Sequence, residues 1–100
     1  MLPEMNTVMT LSTSHLAKSD RDILESLSKA ISNLVYNTHY GFMIKTHWFS
    51  DENDIPAEFD GVGLSEQFLR IMKLSSQSNI YAVEFDCDGP TTDMFEEYEW

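Results

Sequence analysis

The sequence predicts an α+β domain of two layers, a three-stranded sheet covered on one face by two amphipathic helices in the order β-α-β-α-β. Three observations predict it. Apolar residues recur at three- and four-residue spacings over 23–34 and again over 64–72. Three short runs rich in β-branched and aromatic residues, 6–13, 40–49 and 79–87, alternate with those helical patterns. Finally, 100 residues with 42% apolar content make a single domain, 1–100, with a modest core.

The elements follow in order. "NTVMTLST" (6–13) reads as the first strand. In the stretch that follows, Ser19 is a candidate N-cap and Asp22 lies three residues on, as in a capping box. Asp20 and Asp22 fall in the first turn, where the helix dipole favours anions. Ile23, Leu24, Leu27, Ala30, Ile31 and Leu34 then form one stripe on a helix of about four turns. "YNTHYG" reads as a short connection. In "YGFMIKTHWF" (40–49), Phe42, Ile44, Thr46 and Trp48 share one strand face, and Met43, Lys45, His47 and Phe49 the other. Residues 50–63 form a long loop with Pro56 and two glycines. The second helix is expected over 64–75, with Leu64, Phe68, Ile71 and Met72 facing inward. In the third strand (79–87), Tyr81, Val83, Phe85 and Cys87 point one way, and Ile80, Ala82, Glu84 and Asp86 the other. A tail follows from 88 to 100, as a helical turn or an edge strand. Strand direction stays open. Helical connections favour right-handed crossovers, but the long loop also permits a strand to turn back.

Charge is the unusual property. The formal net charge is -11. Residues 1–50 balance four acids with four bases, whereas residues 51–100 set thirteen acids against two bases, Arg70 and Lys73. Such asymmetry points to a polar interaction surface. It also disfavours direct binding to nucleic acid or to anionic lipid, because phosphate is repelled. No apolar run approaches the length of a membrane span. The first fifteen residues carry no Lys or Arg, which argues against a secretory signal. One cysteine, Cys87, excludes an intrachain disulfide and suits a reducing compartment. The expectation is a cytoplasmic protein.

No catalytic signature is present. His15, His39, His47 and Cys87 lack zinc spacing. Asp86, Asp88 and Glu97 match calcium-loop positions one, three and twelve, but Pro90 and Thr91 fall where the loop needs an oxygen ligand and a glycine. "GVG" at 61–63 lacks the spacing of a dinucleotide loop. "STSH" at 12–15 fits turn capping. Neither an enzyme activity, nor a metal site, nor a cofactor is expected. The acids are the candidates. Glu84, Asp86 and Asp88 alternate, so a strand extended to 88 would set them on one face about 6.6 Å apart. Duplex DNA is likewise a regular line of negative charge. The bland alternative is a solvated edge whose acids prevent sheet-to-sheet aggregation. Asp51, Glu52, Asp54, Glu58 and Asp60 in the loop, and Asp93, Glu96, Glu97 and Glu99 in the tail, extend the negative field. Among the tail aromatics, Phe95 is expected to staple the tail to the domain, and Trp100 is a candidate interface anchor.

"LSTSHLAKSDRDILESL", "YGFMIKTHWF" and "YAVEFDCDG" together resemble small domains carried by phages and plasmids. The shared pattern is a strand ending in Ser-Thr-x-His, an acid-capped helix, a Tyr-Gly strand and a late strand ending in Asp-x-Asp. The resemblance implies a mobile-element origin, and by class it is similar to inhibitors of host nucleases, the anti-CRISPR and anti-restriction proteins. It carries over no catalytic residue. The functional expectation is therefore a non-enzymatic inhibitor that occupies a basic nucleic-acid-binding surface of a nuclease or CRISPR effector. An immunity protein or antitoxin against a nuclease toxin shares the same physics. An accessory protein whose acids only confer solubility is the further alternative.

Overall fold

The computed structural model describes residues 7–30, 35–38, 40–49, 59 and 62–98. The described elements are β1 (Val8–Ser12), α1 (Lys18–Ala30), β2 (Val35–Thr38), β3 (Gly41–Lys45), α2 (Glu66–Gln77) and β4 (Ala82–Asp86), with single 3-10 turns at Thr13–His15 and His47–Phe49. The class is α+β with two helices, as expected. The sheet has four strands rather than three, and the order is β-α-β-β-α-β. The extra strand is β2, which begins at Val35, at the end of the stretch read as helix, and runs into the stretch read as a connection. Thr38 pairs with Gly41, so only two residues separate β2 from β3. Four residues are too few for alternation to stand out. What holds β2 is tertiary, since Val35 is fully buried opposite Ile44.

The spatial order is β1-β4-β3-β2, with β1 parallel to β4 and the other neighbours antiparallel. The chain does turn back after β3, and α2 returns it to an antiparallel neighbour. The β1–α1–β2 connection spans the whole sheet, from one edge to the other. Register explains the two faces. Met9, Leu11, Val83, Phe85, Ile44, Phe42 and Val35 fall on one face. That face meets Leu24 of α1 and Phe68, Ile71 and Met72 of α2 in one apolar cluster. Phe68 links the layers, with its ring centroid 6.1 Å from Phe85 and 6.0 Å from Phe49. Phe59 stacks on Phe49 at 5.1 Å. The opposite face carries Thr10, Glu84, Met43 and Tyr36 across its middle row and Ser12, Asp86, Gly41 and Thr38 across the next.

Several boundaries move for local reasons. α1 starts at Lys18, so Ser19 lies within it and is not the cap. Asp20 does the capping: its Oδ2 accepts from the Ala17 N–H at 3.2 Å, the reciprocal half of a capping box. α2 runs over 66–77 rather than 64–75. Its N-cap is Ser65, whose Oγ accepts from the Phe68 N–H at 3.1 Å. Its end is set by Asn79 in the left-handed region at φ 60°, with Asn79 N–H bonded to Ser76 O and Ile80 N–H to Ser75 O. That pair of bonds is a Schellman motif, and asparagine is among the few residues that tolerate it. β3 stops at Lys45 rather than 49. The 3-10 turn after it rotates Phe49 into the core, although strand alternation had placed Phe49 opposite Phe42 and Ile44. β4 is likewise shorter than 79–87, and Cys87 is exposed rather than packed. Within it, Val83 and Phe85 point inward as expected, while Ala82, Glu84 and Asp86 lie on the other face.

A candidate acidic interface

The acids of β4 are placed by alternation on a rigid strand. Glu84 sits between Thr10 and Met43, and Thr10 Oγ1 donates to Glu84 Oε1 at 3.4 Å. Asp86 lies between Ser12 and Gly41, one row along. Gly41 is required there, because a Cβ at that position would fall 1.8 Å from the Phe85 carbonyl oxygen. Asp88 does not continue the row. The strand ends at Asp86, and the Asp88 N–H donates to Asp86 Oδ1 at 2.8 Å in a tight turn. The expected line of three is thus two strand carboxylates followed by one on a turn. A ligand atom from each of Asp86, Cys87 and Asp88 lies within 4.8 Å of the others. All three come from one corner of the chain, Cys87 and Asp88 exposed and Asp86 half-exposed.

From 89 to 98 the chain has neither expected form. Residues 91–98 contain no helix or strand, yet they are docked in detail against the β1–α1 connection and α2. Pro90 O accepts from the Ser12 N–H at 2.8 Å, beside the end of β1. Gly89 allows this approach, since a Cβ there would lie 2.7 Å from Leu11 O. His15 is fully buried and grips the tail with both ring nitrogens. Its Nε2 accepts from the Thr92 N–H at 3.1 Å, which leaves Nδ1 to donate to Glu96 O at 3.0 Å. Gln67 adds three bonds. Its Nε2 donates to Glu96 O at 2.7 Å and to His15 O at 3.0 Å, and its Oε1 accepts from the Glu96 N–H at 2.8 Å. Tyr98 N–H donates to Ser14 O at 2.7 Å, and Ser14 Oγ donates to Glu97 Oε1 at 3.2 Å. Phe95 is buried edge-on to His15, with the Arg70 guanidinium 5.7 Å from its ring centre. It staples the tail, as expected. Burial, and then the Glu96 and Asp20 carboxylates, push the Tyr98 phenol above its ordinary value of 10.0.

Docking of the backbone leaves the carboxylates outside. Asp88, Asp93, Glu96 and Glu97 are exposed, and Glu84 and Asp86 half-exposed. None of the six has an ion-pair partner among the described residues. No Lys or Arg follows Lys73 in the sequence. The two cations of this half, Arg70 and Lys73, line a groove of 520 Å³ on α2 with Phe49, Leu69 and Leu74, on the helical layer. Glu84 and Asp86 lie on the other side of the sheet. Of the remaining candidates, Asp51, Glu52, Asp54, Glu58, Asp60, Glu99 and Trp100 lie outside the described residues. The residues that sequence reasoning missed are His15 and Gln67, the two that hold the tail. "STSH" was legible as a capped turn, and Ser12 Oγ does accept from the Ser14 N–H. Nothing local showed that the same turn receives the far end of the chain.

A second polar hollow, 230 Å³, opens beside Cys87 between Thr13, Arg21, Thr38 and Tyr40. No helix among the described residues is long and apolar enough to cross a membrane. Neither a curated protein nor a solved structure matches the chain. Residues 8–100 match the C-terminal domain of a family of unknown function, DUF5983. A match over nearly the full length, covering every described element, makes this chain a member of the DUF5983 C-terminal domain family.

Proposed function

We propose that the domain is a non-enzymatic inhibitor that binds and blocks a basic nucleic-acid-binding surface of a nuclease or CRISPR effector in the cytoplasm. One observation carries this reading. From β4 onward six carboxylates stand at the surface without an ion-pair partner among the described residues, two of them on a strand, one on the turn after it and three on docked backbone. Carboxylates at fixed positions repel one another in the free protein, and a Lys/Arg-rich groove relieves that repulsion on docking. A solubilising surface needs less charge and no ordered support.

The test is inhibition of DNA cleavage by a panel of purified nucleases, nuclease toxins and CRISPR effectors at about 50 and about 300 mM salt. The reading expects inhibition of at least one member, weaker at the higher salt. It also expects the triple variant Glu84→Gln, Asp86→Asn, Asp88→Asn to lose about tenfold or more in potency, with an unchanged circular dichroism spectrum. Inhibition indifferent both to salt and to the triple variant would sink charge mimicry. Selective inhibition of a toxin would make the domain an immunity protein that uses the same surface.

A further inference from the structure

We infer that His15 and Gln67 are positioning residues of the acidic surface: they lock residues 91–98 so that a basic partner meets carboxylates already fixed in place. The inference rests on the proposed inhibitory reading and adds a requirement to it. Residues 91–98 have no helix or strand to order them, and fixing backbone costs conformational entropy at every residue. Besides the buried Phe95 and the Tyr98–Ser14 backbone bond, that order comes from two side chains contributed by distant elements. His15 spans Thr92 and Glu96 with its two ring nitrogens. Gln67 closes both backbone groups of Glu96 and ties them to His15 O. Asp93 lies between the two gripped residues, and Glu97 directly follows them with its carboxylate on Ser14 Oγ.

The lock is uncharged at its contacts. His15 places a ring N–H against a carbonyl and a bare ring nitrogen against an N–H, and Gln67 is neutral. Neither residue donates to a carboxylate. Their removal therefore changes where the acids stand without changing how many there are. A partner that responds to total charge is indifferent to such a change. A partner that responds to spacing loses affinity, because it must then order the tail itself on binding.

The experiment uses the full chain and an oligoarginine peptide as a defined cationic probe. Gln67→Ala is the principal variant, because Gln67 is only half-buried and its loss leaves the core intact. His15→Ala, which opens a hole in the core, is the second. Amide exchange at Thr92, Glu96 and Tyr98 reads the lock directly, and calorimetry reads peptide affinity at about 50 and about 150 mM salt. The expected result is faster exchange at those three amides, an unchanged rate in β1 and β4, and affinity lower on the order of tenfold at an unchanged salt slope. Faster exchange with unchanged affinity would overturn the positioning role and leave the charge reading standing. Unchanged exchange in both variants would overturn the lock itself. Failure of the parent chain to bind the peptide at either salt would overturn both.

Discussion

The Lys45 ammonium sits 5.8 Å from the ring centre of Tyr36 and 5.7 Å from that of Tyr81. A hydrogen bond to Tyr81, and then the charges that Tyr36 and Tyr81 develop at high pH, raise its pKa above the ordinary 10.5. Tyr98 is raised as well, chiefly by burial. The two shifts act in one direction. A group that holds its proton more tightly in the folded chain contributes stability below its unfolded pKa and loses that contribution as pH rises through the folded one. The window is therefore alkaline, from about pH 10 upward. The urea midpoint is expected to be flat between about pH 8 and 9 and to fall above about pH 10. Tyr98→Phe should flatten part of that fall. A midpoint that rises with alkaline pH would contradict these contacts. The residue pairings that matter here were not legible in the sequence, because the phenols of 36 and 81 reach Lys45 only through sheet pairing.

At the level of elements, the join between the two helices depends on one buried carboxylate. Asp20 is fully buried. Oδ1 accepts from the Ser65 N–H at 2.7 Å, and Oδ2 from Ser65 Oγ at 2.6 Å and from the Ala17 N–H at 3.2 Å. One side chain thus caps α1 and anchors the cap of α2. Asp20→Ala strands three donors near the core, each worth about 1–3 kcal/mol when left unmade. Relief by water lowers that sum, so the expected loss is about 2–4 kcal/mol by urea denaturation. Ser19→Ala, the cap the sequence pattern suggests, should change stability by less than about 0.5 kcal/mol. Equal losses for the two variants would show that the capping assignment is wrong. The pattern did predict an acid in the first turn, correctly. It missed that the acid's other oxygen serves a residue forty-five positions away, which is a property of packing.

At the level of the whole molecule, both layers carry acids and bases. α2 carries Glu66 beside Arg70 and Lys73, and the open side of the sheet carries Lys45 beside Glu84 and Asp86. With a net charge of -11 the compact state repels itself. Raising salt from about 20 to about 300 mM is expected to raise Tm by about 4–8 °C, the shift that about 1 kcal/mol produces in a domain of this size. A Tm that falls with salt would mean that attractive pairs outweigh the repulsion. The same screening weakens any cationic partner, so stability and binding are expected to move in opposite directions with salt.

Sequence alone was enough for the class of the fold, the inward placement of Leu24 on α1 and of Phe68, Ile71 and Met72 on α2, the inward alternation of Phe42, Ile44, Val83 and Phe85, and the imbalance of charge. Each of these is set by residues near one another along the chain, where helical or strand periodicity can be counted. Only the tertiary structure decided that there are four strands, that β1 runs parallel to β4, that Asp88 leaves the row begun by Glu84 and Asp86, and that the tail is held by His15 and Gln67. Those outcomes depend on contacts between residues far apart in sequence. A four-residue strand exists because Val35 meets Ile44, and the tail holds its place because a buried imidazole supplies both a donor and an acceptor to it.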